Sequence, residues 1–173
     1  SNRVPLIFVH GLISTPQMWR NVINEIEADP TLRGRYQCLV FSYPTGNPPA
    51  YSAMRLRTEL AKYHQLHPGA KPYVLVGHSM GGCISRILIT DSGNKLWLEA
   101  FGKPPERTEL PAESKNLLKE ALILKHRPEI GRVIFMSTPH RGSELASNWI
   151  GRIGSRLVKA PSKLISITQV ARE

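Results

Sequence analysis

One short stretch combines residue types and spacing that suit attack on a carbonyl carbon: Gly77-His78-Ser79-Met80-Gly81-Gly82. A serine with glycines two positions to either side is the pattern of a nucleophile elbow, in which the chain turns from strand to helix within a few residues. The glycines are required because side chains there would collide with strand or helix, and the turn holds the serine in a strained backbone conformation. Its hydroxyl then stands at the edge of a sheet. The N–H groups that open the next helix face any negative charge developing beside it. The chemistry expected is acyl transfer through Ser79.

Such a turn needs a strand before it and a helix after it, and the sequence supplies both. Pro72-Tyr73-Val74-Leu75-Val76 is a β-rich run bounded by Pro and Gly, and Cys83, Ile84, Ile87, Leu88 and Ile89 recur at helical spacing up to Asp91. Upstream, Val4 to Val9 is an apolar run without alternation, as expected of a strand covered on both faces, and His10-Gly11 stops it. From Pro16, with Thr15 as N-cap, Met18, Trp19, Val22, Ile23 and Ile26 follow one helical face until Asp29-Pro30. Tyr36 to Tyr43 reads as a second buried strand, and Tyr51 to Leu66 as a second helix ended by His67-Pro68-Gly69.

Strand and helix thus alternate, which predicts an α/β fold with a parallel sheet, helices on both faces and right-handed crossovers. Ligands bind at the carboxyl ends of such strands. The loops carrying His10-Gly11-Leu12, Pro44-Thr45-Gly46 and Ser79 all leave strand carboxyl ends and should gather on one rim.

Residues 92–129 break the alternation. A turn at Asp91-Ser92-Gly93-Asn94 leads to a cluster of Trp97, Leu98 and Phe101, then a charged stretch, then an amphipathic helix through Leu117, Leu118, Ala121, Leu122 and Leu124. We read an insertion, expected either to act as a lid over the serine or to lie on the surface with no gating role. Arg132 to Ser137 is a fourth strand that empties into Thr138-Pro139-His140-Arg141-Gly142-Ser143, with a helix expected from Ser143. The tail after Gly151 mixes basic and apolar residues and is expected to cover a core or lie on a membrane surface.

At 173 residues the chain predicts a single domain spanning 1–173, and 41% apolar composition suffices for one core. A net charge of +10 would suit an anionic partner. The charge is spread, however, and no basic run carries interleaved aromatics, so nucleic acid is not an expected partner. Cys38 and Cys83 lack the spacing of a metal site or disulfide framework and read as small buried hydrophobes. Neither metal nor organic cofactor is required. No apolar run reaches the roughly 18 residues of a membrane span, no signal-peptide pattern opens the chain, and the compartment stays open.

In the His10-Gly11 turn, the Ser79 elbow and Ser137-Thr138-Pro139-His140-Arg141-Gly142-Ser143, the chain resembles the α/β-hydrolase superfamily. Within it the chain is similar to bacterial esterases and lipases of the group related to triacylglycerol lipases and GPI-inositol deacylases. The resemblance implies that Ser79 is the nucleophile and that an oxyanion hole is formed by the backbone N–H of Met80 and of Leu12, with Ile13 as the near alternative to Leu12. It implies hydrolysis of carboxylic, lipid-like esters through an acyl-enzyme. The same elbow would serve an acyltransferase or thioesterase, and the fold alone would serve a noncatalytic partner- or membrane-binding module.

In these hydrolases the acid and the histidine of the triad follow the nucleophile in the chain. Nothing in this sequence occupies either place, which implies the front part of a hydrolase domain, its sheet cut before the last strands. A further segment or a second chain would then supply both groups. Among the histidines present, His140 is the candidate substitute base, His10 is expected to shape the oxyanion turn, and His78 is an elbow residue whose side chain points away from the pocket.

Overall fold

The computed structural model describes residues 2–140. Four strands form one parallel sheet in the order β2-β1-β3-β4: β1 Val4–Val9, β2 Tyr36–Phe41, β3 Tyr73–His78 and β4 Ile130–Met136. Between them lie α1 Arg20–Ala28, α2 Pro30–Arg35, α3 Pro49–Leu66, α4 Met80–Leu88, α5 Lys95–Phe101 and α6 Ala112–Leu122. The expected alternation is therefore present, and the central β1 and β3 are the apolar runs that define it.

Because side chains alternate across a strand, β1 feeds two different cores. Ile7 and Val9 face one side, where they join Tyr73 and Leu75 of β3, Ala53, Leu56 and Leu60 of α3, and Ile84 and Leu88 of α4. Leu6 and Phe8 face the other, where they meet Val76 and Trp19. The Phe8 and Trp19 rings lie 5.0 Å apart. On that second side α1 contributes only half-buried residues, among them Ile23 and Ile26.

Several boundaries differ from the sequence reading for local reasons. Pro16 to Trp19 forms a 3-10 turn before α1, and Thr15 makes no side-chain cap bond there. Asp29-Pro30 ends α1 but also starts α2, because the Asp29 carboxylate accepts from the N–H groups of Thr31 and Leu32 while Pro30 occupies the first turn. β2 stops at Phe41, so Tyr43 lies in the following loop. The elbow helix runs over Met80–Leu88, starting directly at the serine and ending three residues before Asp91.

The excursion at 92–129 has a closed neck. Ser92 Oγ donates to Leu122 O at 3.1 Å and accepts from Leu124 N–H at 2.8 Å, and Ser92 N–H donates to Leu124 O. Asp91 accepts from both the backbone N–H and the ring Nδ1 of His126, and Arg127 N–H donates to Leu88 O at 2.8 Å. Inside the excursion Trp97 is fully buried, its Nε1–H donating to Thr108 Oγ1 at 3.1 Å. α6 packs on α3. The helix expected from Ser143 and the basic tail lie outside the described residues.

Candidate active site

Ser79 links β3 to α4 with φ +51° and ψ −122°, a region that side chains other than glycine rarely occupy. Holding a residue there costs about 1–3 kcal/mol, which the surrounding contacts must offset. The Ser79 N–H donates to Met136 O at the end of β4 (2.9 Å), and its carbonyl accepts from Gly82 N–H (3.0 Å). A Cβ on Gly81 would overlap the carbonyl oxygens of Val9 and His10. That close approach fixes the first turn of α4 against the end of β1.

The same end of β1 brings the His10-Gly11 turn to the serine. A Cβ on Gly11 would stand 3.0 Å from Ser79 Cβ and 3.1 Å from His78 Nδ1, so the two turns touch. Leu12 and Ile13 follow, 46% and 93% exposed, and Ile13 adopts φ +51°. Met80 opens α4, where the first N–H groups have no partner within the helix. A negatively charged oxygen beside Ser79 would therefore meet unpaired donors on the α4 side.

His10 is buried beneath this rim. Its ring stacks on Tyr43 with centroids 4.3 Å apart, its Nδ1 lies 3.1 Å from Gly11 O, and its Nε2 has no partner among the described residues. The Tyr43 hydroxyl donates to the His10 carbonyl at 2.6 Å. Burial, with a smaller contribution from Cys83, pushes that hydroxyl well above its ordinary range. The turn after β1 is thus held by a donor that does not ionise readily. Sequence reasoning missed this latch because Tyr43 reads as the last residue of a strand.

All six histidines of the chain lie among the described residues, and none hydrogen-bonds to Ser79. His78 meets Trp19 edge-on at 6.5 Å, and its buried Nδ1 is unpartnered among the described residues. His140 is turned to α4, where its Nδ1 lies 3.1 Å from the Arg86 guanidinium and therefore accepts from it, and its ring meets Phe135 edge-on. His64 pairs with the Tyr73 hydroxyl, and His67 stacks on Tyr63.

His126 and Asp91 do form an acid–histidine pair, with Nδ1 2.8 Å from Oδ2. The pair stands beyond the far end of α4, a helix of nine residues and so about 13 Å long. It serves the neck of the excursion. The hydrogen bonds from His126 hold the Asp91 carboxyl below its ordinary range.

Cys38 and Cys83 are half-buried rather than fully buried, and partial burial pushes both thiols above their ordinary range. Among the described residues no group of three acidic, histidine or cysteine side chains is placed to hold a metal ion, and no helix is long and apolar enough to cross a membrane.

A parallel sheet that delivers a strained serine from a strand end into a helix is the arrangement of an α/β hydrolase. A model of the alpha/beta hydrolase family matches residues 6–162, and the chain belongs to that family. No curated protein matches the chain. Among solved structures it is similar to the Bacillus licheniformis lipase BlEst2 in mature form, with 20% identity and a TM-score of 0.48 over 84% of this chain and 45% of the lipase. It is also similar to an acetyl xylan esterase, with 18% identity and a TM-score of 0.45 over 80% of this chain and 65% of the esterase. The chain thus spans less than half the length of that lipase.

Proposed function

We propose that this protein is the nucleophile-bearing part of a serine hydrolase acting on carboxylic esters with an apolar acyl group, of the lipase and GPI-inositol-deacylase-like branch. The observation that carries this reading is Ser79 itself, held at φ +51° with the Gly11 turn against its Cβ. Its Oγ adds to the ester carbonyl carbon while its proton passes to a base. The carbonyl oxygen takes the negative charge and rests against the N–H groups of Met80 and Leu12, with Ile13 the alternative donor. Collapse expels the alcohol, which takes the proton, and water then releases the acid from the acyl-enzyme. Losing one such donor costs about 3–4 kcal/mol of transition-state stabilisation.

The base is the part that this sequence does not supply. None of the six histidines hydrogen-bonds to Ser79, so we assign the base and its acid to polypeptide outside this sequence, whether continuous with it or a second chain. The excursion at 92–129 is anchored by the packing of α6 on α3, and in this reading it keeps its expected role as a lid over Ser79. The same absence of a histidine bonded to Ser79 favours one rival, a hydrolase-fold module that binds a partner or membrane without turnover.

Chemical rescue separates the two. A fluorophosphonate should label Ser79 slowly, and added imidazole should raise the rate by about tenfold or more by standing in for the missing base. Intact mass and peptide mapping would follow the adduct, with Ser79→Ala as the control. A folded chain that forms no Ser79 adduct at any imidazole concentration would leave the binding module as the better account.

A further inference from the structure

We infer that Ser137 is a specificity residue of the Ser79 site, its hydroxyl hydrogen-bonding the alcohol portion of a polyol ester. The inference rests on the reading of Ser79 as nucleophile. Two observations place Ser137 there. The β3–β4 register pairs His78 with Met136, so the next residues, Ser79 and Ser137, leave adjacent strand ends, where strands stand about 4.8 Å apart. The Ser79 N–H bond to Met136 O extends that pairing into the elbow.

Ser137 also shares the positive φ of Ser79, +48° beside +51°. A left-handed conformation in a residue with a side chain persists only where neighbouring contacts over-determine it. Here Thr138, the next residue, is lodged against Gly82, at which any Cβ would overlap its side chain. His140 N–H closes the turn on Thr138 O at 2.9 Å, and the His140 ring is held by Arg86 of α4. The turn that presents Ser137 is therefore braced on the helix that Ser79 opens. Ser137 itself is exposed among the described residues and has no hydrogen-bond partner there.

The sheet order tells which part of an ester it meets. β3 lies between β1 and β4, so Ser79 has the Leu12 turn on one flank and Ser137 on the other. The β1 flank carries the exposed apolar side chains of Leu12, Ile13 and Met18, which suit an acyl chain. The β4 flank presents a hydroxyl, with Arg86 and His140 behind it. An ester lying across Ser79 with its acyl group toward Leu12 turns its alcohol toward Ser137, and a hydroxyl on that alcohol gains a partner.

Binding tests this without turnover. In the Ser79→Ala protein, the dissociation constants of glycerol monobutyrate and methyl butyrate are measured by NMR titration, then measured again with Ser137→Ala or Ser137→Gly added. Wild-type Ser137 should favour the glycerol ester. Both variants should reduce that preference by about fivefold, the worth of one neutral hydrogen bond. An unchanged preference overturns the inference, as does a preference lost with alanine but kept with glycine, which would make the role one of backbone conformation. Failure of either ester to bind also overturns it. Failure of the reading beneath it appears separately, as absence of the imidazole-rescued Ser79 adduct.

Discussion

On one side of the sheet Ile7, Val9, Tyr73 and Leu75 are sealed by two helices, with α6 stacked on one of them as a third layer. On the other side Leu6, Phe8 and Val76 rest chiefly on the indole of Trp19. The difference separates two jobs. The deep side holds α4, and through it the conformation of Ser79. The shallow side supports the approach to the site, since Trp19 also meets His78 edge-on beneath the Gly11 turn. Damage to the deep side should therefore register in global stability, and damage to the shallow side in the site first.

The largest effect is expected where the two sides meet. Gly81→Ala drives a methyl into the backbone carbonyls of Val9 and His10, neither of which can swing aside, and overpacking of this kind costs about 3 kcal/mol or more. The variant should yield little folded protein, read by circular dichroism and size exclusion. A well-folded Gly81→Ala protein would mean that α4 is not pinned to the end of β1.

Next comes the direct contrast between the sides. Leu75→Ala removes a fully buried side chain from the deep core and should cost about 2–5 kcal/mol in urea unfolding. Trp19→Leu should cost less, about 1–2 kcal/mol, because the indole Nε1 is buried without a partner among the described residues and its removal relieves that penalty. The rescued labelling of Ser79 should nevertheless fall further in Trp19→Leu than in Leu75→Ala, measured where both are folded. Equal labelling rates would collapse the distinction between the sides.

The smallest effect belongs to the neck that ties the excursion to the deep side. Asp91 has a lowered folded-state pKa, so its pair with His126 contributes fully above the ordinary carboxyl value of 3.8 and is lost as pH falls through the lower folded value. The difference in melting temperature between wild type and Asp91→Asn should accordingly shrink toward zero below that pH. A difference that persists there would assign the stabilisation to something other than the carboxylate.

Much of this architecture is legible in the residues alone. β1 and β3 announce themselves as apolar runs broken by His10-Gly11 and by the elbow, and the glycines around Ser79 mark the turn because its packing admits no side chain. α2 was hidden, since Asp29-Pro30 is both a stop and a start and local sequence does not say which. Ser137 and Ile13 gave no sign of positive φ, because nothing in a serine or isoleucine asks for it. The engagement of His140 by Arg86 joins residues far apart in the chain, and no spacing rule reaches that far.

The hydroxyl of Tyr43 has a bearing on how such a protein would be handled at the bench. An exposed tyrosine loses its proton near pH 10, and the bond to the His10 carbonyl would weaken with it. Burial moves that loss to more alkaline solution, so the turn beside Ser79 keeps its shape in buffers where p-nitrophenolate is fully coloured and deprotonated bases are plentiful. Alkaline assay mixtures, far from stripping the site of its support, leave this tether fastened.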